Sequence, residues 1–279
     1  MSRFIYINGK ILPASEARIS VLDGALLHGF GLFETLRAYN GIPFRLGEHL
    51  QRMSRSARAF GIPYAIHEAS FRRDIVKLLA ANHMAAAAVR ITLTRGAESV
   101  GRSLIVTLRD LPPLAPQRYA SGEKLILAAW KRSTSGPLYG HKTLNYLENI
   151  LARERAERLR AVDVIFTDAN NRVLEGSATN LFLVRKGIVA TPSLKGCILP
   201  GVARKIVISL CRAEKIPVRE RAIPLRDLFA ADEIFVTNAL IEVMPVSSIG
   251  SMRVGTGKVG PVAPLLLQRY RELVSREGS

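Results

Sequence analysis

Lys142 sits in the run YGHKTLNYLENILARERA, and 33 residues later Glu175 opens EGSATNLFLV. A primary amine and a carboxylate in that order could do carbonyl chemistry with an aldehyde cofactor. The amine condenses with the aldehyde as a Schiff base. A carboxylate against a pyridine ring keeps the ring nitrogen protonated, so the ring can accept electrons; this is what pyridoxal phosphate chemistry needs. Each residue alone has a plainer explanation, since lysines precede many helices and Glu-Gly-Ser is an ordinary turn. The pair gains weight from its order and from what surrounds it.

The elements that must position these residues can be read from periodicity. FIYINGKILP reads as strand, Asn-Gly turn, strand, and FETLRAYNGIPF repeats the pattern around Asn40-Gly41. Leu46, Leu50, Met53, Ala57 and Phe60 recur at helical spacing, with Gly61 as the stop. A second helix is expected from Glu68 to about His83. AVRITLTRG and SLIVTLRD read as strands. The Pro-rich stretch 111–122 is the best linker candidate. After it come strand KLILAAW, the lysine segment leading a helix to about Leu159, and strand DVIFTD. A hairpin around Lys186-Gly187, helix GVARKIVISLCRAEK, the interrupted strand EIFVTNALIEVMPV and a last helix in PVAPLLLQRYRELV complete the chain. This mixture predicts two α+β domains, 1–115 and 116–279, with a cleft between them.

Composition narrows the class. In 279 residues, 48% hydrophobic content supports a sizeable core, and no apolar run is long enough to span a bilayer. The opening MSRFIYINGKILP lacks a signal peptide's apolar stretch. Cys197 and Cys211 could pair, but two cysteines in such a chain fit reduced cytosolic thiols better than a disulfide framework. A cytoplasmic setting is therefore expected. The formal charge of +17 would suit a nucleic-acid binder, yet the basic residues are spread, as in LARERAERLR, where they interleave with glutamates. There is no zinc-finger spacing, basic tail or membrane segment. Anionic small molecules are the expected partners.

Taken together, GLFETLRAYNG, EHLQRM, KTLNYLENILARERA, RVLEGSATNLFLV, ILPGVARKIVISLC and VTNALIEVMPV resemble, in order, the fold-type IV (class IV) pyridoxal-phosphate-dependent aminotransferase family. That family includes branched-chain and D-amino-acid aminotransferases, R-selective amine transaminases and 4-amino-4-deoxychorismate lyases. The resemblance implies an α+β, two-domain enzyme, a homodimer, with pyridoxal 5'-phosphate in the interdomain cleft.

It also implies roles, residue by residue. Lys142 would bind the cofactor and shuttle a proton between the substrate's α-carbon and the cofactor's C4′. Glu175 would pair with the ring nitrogen, with Asn180 near it, and Leu199 would pack on the ring. Arg52 would bind the phosphate, since the planar guanidinium donates in pairs. Val202 and Ala203 would add their amides at a helix N-terminus behind Gly201. Many relatives carry Thr where Ala203 stands, so one hydroxyl contact is missing. Tyr146 would hydrogen-bond the cofactor's phenolic oxygen, although its spacing from the lysine is one residue short. Asn238-Ala239-Leu240 would form a second phosphate-side loop and resembles the run of some lyases. Thr35, Arg37, Arg90 and Arg95 are the candidates for substrate binding; the Arg-x-His carboxylate trap of some D-amino-acid enzymes has no counterpart. The implied activity is transfer of an amino group between a branched-chain or D-amino acid and a 2-keto acid. The alternative is 4-amino-4-deoxychorismate lyase, releasing pyruvate and 4-aminobenzoate.

Overall fold

The computed structural model describes residues 3–97, 101–111, 115–196 and 198–277. The chain divides into two units. One takes Met1–Pro112, His141–Asn145 and Val274–Ser279, and the other Pro113–Gly140 and Tyr146–Leu273. The sequence suggested a single boundary at 115/116; the division is discontinuous because both the segment His141–Asn145, bonded to β3 through Lys142 and Leu144, and the segment Val274–Ser279 fall in the first unit.

In the first unit β1 (Phe4–Ile7) and β2 (Lys10–Pro13) form an antiparallel hairpin. Asn8 and Gly9 turn it at φ 48° and 91°, positive at both positions as a type I′ turn requires. Short α1 (Gly24–His28) precedes β3 (Gly31–Tyr39), which turns at Asn40 and Gly41, φ 48° and 80°, into β4 (Ile42–Pro43). Helices α2 (Leu46–Ala59) and α3 (Glu68–Ala81) follow, then β5 (Ala87–Thr94) and β6 (Leu104–Arg109). The antiparallel sheet runs β2-β1-β6-β5-β3-β4. The expected stripe of α2 is buried: Leu46, Leu50, Met53 and Ala57 share a core with Leu32, Leu36 and Ala38 of β3 and Val89, Ile91 and Leu93 of β5. Each buried large aliphatic side chain contributes about 1.5–3 kcal/mol.

In the second unit the expected linker is partly a helix, α4 (Pro116–Ser121), with proline in its first turn; 112–114 lie outside the described residues. Tyr119 pins it by burying its ring and donating its hydroxyl to the Ile241 carbonyl at 3.1 Å. Strand β7 (Glu123–Leu127), helix α5 (Leu147–Arg158) and strand β8 (Asp163–Thr167) form a parallel βαβ crossover, with Ala152 and Ala156 turned to the core beside Val164 and Phe166. Next come β9 (Arg172–Gly176), β10 (Asn180–Arg185), β11 (Ile188–Pro192), α6 (Val202–Ala213), β12 (Val218–Arg221), β13 (Ile223–Pro224) and α7 (Leu225–Phe229). β14 (Glu233–Asn238), β15 (Glu242–Ile249), β16 (Met252–Arg253) and α8 (Val262–Glu277) finish the chain. The sheet order is β12-β11-β10-β14-β15-β7-β8-β9-β13, with β16 on β15. It curls, so that β9 also meets β10 and β11. Among the described residues no helix is long and apolar enough to cross a membrane. Cys197 lies outside the described residues; Cys211 is a free thiol whose pKa burial pushes up to about 11.

One residue breaks the apolar pattern of the first core. Glu34 occupies a core position of β3 and is 1% exposed. Its carboxylate accepts from Arg52 Nε (2.8 Å) and Nη2 (2.5 Å), and His49 Nδ1 lies 2.8 Å away. Burial alone would raise the Glu34 carboxyl; the Arg52 guanidinium, with the hydrogen bonds from Arg52 and His49, holds it down to about 2. A depressed carboxyl adds stability above its ordinary 4.5 and loses it as pH falls towards about 2. Glu34→Gln is expected to lower unfolding stability at neutral pH by about 3–5 kcal/mol, because it strands a buried guanidinium. Denaturant titrations of both proteins should show the wild-type lead shrinking through that acid window, and a lead independent of pH would refute the ion pair.

Candidate functional site

Lys142 is not at the head of a helix. The helix after it starts at Leu147, and residues 141–145 are irregular, with bends at His141 and Leu144 and one antiparallel bridge to β3 at Thr143. Phe33 N donates to Lys142 O and Leu144 N to Gly31 O, both at 2.9 Å, around a Leu32–Thr143 bridge. Asn145 Nδ2 adds a bond to Gly29 O at 3.0 Å. Gly31 has to be glycine, because a Cβ there would meet Leu144 Cδ1 and the Leu93 carbonyl. On the other flank, His141 Nδ1 lies 2.9 Å from Ser56 Oγ of α2, with its ring edge-on to Phe60. The lysine is thus held by a single antiparallel bridge beside β3.

Side chains alternate along β3, and residues opposite each other on paired strands share a face. Glu34 and Leu36 point to the core, so Phe33, Thr35 and Arg37 point the other way. The register sets Thr35 opposite Arg90 and Phe33 opposite Thr92. Lys142 Nζ lies 4.4 Å from the centroid of the Phe33 ring, and the Arg90 guanidinium carbon lies 3.9 Å from the same centroid. Arg37 stacks on Tyr39 of the same face at 4.4 Å. The candidate amine and two candidate carboxylate ligands therefore occupy one sheet face with Thr35. Arg95 lies past the end of β5, over Phe30.

In the second unit Glu175 is the penultimate residue of β9, which ends at Gly176, and Asn180 begins β10. Glu175 Oε2 accepts from Leu199 N (3.0 Å) and Asn180 Nδ2 (3.1 Å), and Asn180 Nδ2 also reaches Leu199 O (3.0 Å). Arg132 Nη1 lies 3.8 Å from Glu175 Oε1. Arg132 is itself fixed, by Glu148 (Nε, 3.0 Å), Asn149 (Nη2, 3.2 Å) and the face of Phe166. The intervening turn, 177–179, collects further candidates. Tyr146 Oη donates to Ser177 O at 2.7 Å, and Asn238 Nδ2 to Ala178 O at 3.1 Å. Burial, then Glu175 and Asp163, pushes the Tyr146 hydroxyl up to about 12, so it stays a proton donor.

Helix α6 begins without a side-chain cap at Gly201, which leaves the first-turn amides of Val202 and Ala203 as an anion-attracting end. A Cβ at Gly201 would run into Asn180 Oδ1, so the close approach requires glycine. Asn238 Oδ1 accepts from Leu240 N (2.8 Å) and Ile241 N (2.9 Å), which holds the Ala239 loop in shape. Arg52 presents its Nε edge to Glu34, so its plane is set from the core side. No group of three or more His, Cys, Asp or Glu among the described residues is placed to hold a metal ion.

Sequence reasoning missed Glu34, His49, Arg132 and Asp163. Glu34 left a trace, a charge at a core position of an alternating strand. Arg132 left none, for it lies in a stretch without periodicity.

Residues 31–249 match the family described as Amino-transferase class IV. The putative branched-chain-amino-acid aminotransferase of Methanocaldococcus jannaschii is 31% identical over 283 residues, covering 98% of this chain and 97% of that protein. The D-alanine aminotransferase of Bacillus licheniformis is 29% identical over 268 residues, 92% of each. A branched-chain amino acid aminotransferase from T.th., solved with pyridoxamine 5'-phosphate, superposes with a TM-score of 0.91 at 29% identity, covering 99% of this chain and 95% of that one. The chain belongs to the class IV aminotransferases.

Proposed function

We propose that this aminotransferase uses pyridoxal 5'-phosphate, held by the residues above, to move an amino group between an amino acid and a 2-keto acid. The residues present fit that cofactor. An uncapped helix end at Val202 and Ala203 suits its phosphate, and Glu175, oriented by Leu199 N and Asn180, suits its ring nitrogen. When bound, the group supplies an aldehyde carbon to take the amine and a ring to take up electrons.

The chain's own residues do the rest. Nζ of Lys142 would anchor the cofactor and, once released by the incoming amine, would carry the proton from the substrate's α-carbon to the cofactor's C4′. Glu175 keeps a proton on the ring nitrogen. Leu199 packs on the ring, and Tyr146, whose one hydroxyl proton goes to the Ser177 carbonyl, serves by holding that turn rather than by donating to the phenolic oxygen. Arg52, with its plane fixed by Glu34, is the phosphate ligand we assign in the first unit, and the amides of Val202 and Ala203 with the loop of Asn238 and Ala239 are those we assign in the second. Arg37 and Arg90 take the substrate carboxylate, with Thr35 beside them and Arg95 at the rim. The observation that carries this reading is that the Lys142 amine and the Arg90 guanidinium both pack against the Phe33 ring, at 4.4 and 3.9 Å from its centroid. The lyase alternative leans on Asn238-Ala239-Leu240, but Asn238 already has a local task in shaping its loop. The side-chain preference we assign is branched-chain or D-amino acid.

A homodimer is supported by Ile19, Val21, Leu22, Leu26 and Leu27, large aliphatic side chains exposed within nine residues. The low cysteine count supports a cytoplasmic setting. Light scattering should give at least twice the chain mass, and an active monomer at micromolar concentration would overturn the assembly.

Borohydride reduction of the yellow protein should leave the cofactor on Lys142, and Lys142→Ala should carry none; a label on another lysine would displace the assignment. In the same preparations Glu175→Gln should cut turnover by roughly two orders of magnitude, as losing a key electrostatic contact does.

Amino acid alone should convert the enzyme stoichiometrically to its amine-loaded form, and 2-oxoglutarate or pyruvate should restore the yellow one. If no common L- or D-amino acid does so, while aminodeoxychorismate yields pyruvate without an acceptor, the lyase alternative holds instead.

A further inference from the structure

Three residues of the proposed cofactor site are tied to one short turn. Glu175 lies just before it, Tyr146 Oη donates to its Ser177 carbonyl, and Asn238 Nδ2 donates to its Ala178 carbonyl. Asn180, which orients Glu175, lies just after it. The inside of the turn is filled by a single carboxylate. Asp163, the first residue of β8, is 2% exposed. Its Oδ1 accepts from Ser177 N (3.0 Å), Ser177 Oγ (2.5 Å) and its neighbour Val164 N (2.8 Å). Its Oδ2 accepts from Ala178 N (3.1 Å) and Thr179 Oγ1 (2.8 Å). A Cβ on Gly176 would run into Asp163 Oδ2 and Thr179 Oγ1, so the chain closes around the carboxylate with no space left over.

We infer that Asp163 is a positioning residue for Glu175, acting through the 177–179 turn; the inference rests on the reading of Glu175 given above. Each partner of the carboxylate is a donor, and four of the five belong to the turn. Both oxygens are needed as acceptors, one for each end of the turn. Asparagine has nearly the same shape but offers an NH₂ where an oxygen must accept, so Asp163→Asn sets donor against donor inside the turn. The disturbance passes directly to Glu175 and Asn180 and, through the Ser177 and Ala178 carbonyls, to Tyr146 and Asn238.

Asp163→Asn and the milder, near-isosteric Thr179→Val separate this role from plain stability. In the apoprotein, hydrogen exchange at the Ser177 and Ala178 amides should quicken by about tenfold in Asp163→Asn, the loss of one hydrogen bond to a charged group. Titration of each apoprotein with pyridoxal 5'-phosphate should show Kd raised by about tenfold in Asp163→Asn and by a few-fold in Thr179→Val, with kcat reduced more than KM is changed. If Asp163→Asn does not fold, Thr179→Val decides alone. Wild-type Kd and kcat in the folded variants, beside a large loss in Glu175→Gln, would overturn the inference alone. Wild-type turnover in Glu175→Gln would overturn the reading of Glu175 and this inference with it.

Discussion

The site depends on three main-chain contacts. The bond from Phe33 N to Lys142 O, the bond from Leu144 N to Gly31 O and the Leu32–Thr143 bridge they define fasten residues 142–144 antiparallel beside β3. A helix would have presented the lysine by rotation about its axis. A segment paired with β3 presents it by alternation, so a shift of one residue would send the amine to the opposite side. The register therefore does the positioning, and Gly31 permits it by lacking the atom that would collide with Leu144 and Leu93. The packing of the amine against the Phe33 ring follows from that register.

Two carboxylates are buried near these functions, and the protein satisfies them differently. Glu34 is met by a full positive charge, and Arg52 gains a fixed plane in return. Asp163 is met by five dipoles, three of them backbone amides. A cation–carboxylate pair sets the direction of one side chain. A ring of dipoles sets the path of the backbone itself. Each solution matches what has to be held, a fork in one case and a turn in the other.

How far the sequence revealed this depends on the range of each interaction. The Asn8-Gly9 and Asn40-Gly41 hairpins were legible because a turn with two positive φ values selects its residues locally. The α2 stripe was legible because helical spacing is local too. The 111–122 stretch does hold the border between the units, at Pro112/Pro113, but helix α4 within it was not legible, since what pins it is Tyr119 reaching the carbonyl of Ile241, far along the chain. Lys142 and Glu175 were legible as chemical types, but not their settings, a segment bridged to β3 and the penultimate position of β9. Asp163 was invisible because an aspartate at the start of an apolar strand looks like any polar boundary residue until the turn fourteen positions later folds onto it.

The discontinuous division of the chain has a genetic counterpart. Residues 141–145 are encoded within the stretch that builds the second unit, yet they belong to the first and bridge to its sheet. A protein assembled by joining the first 112 residues of one relative to the remainder of another would draw its lysine segment from one parent and the β3 edge that receives it from the other. Gly31 and Leu144 would then come from different lineages. Recombination at the apparent domain border thus cuts through a matched pair, and the two units are inherited as partners rather than as interchangeable cassettes.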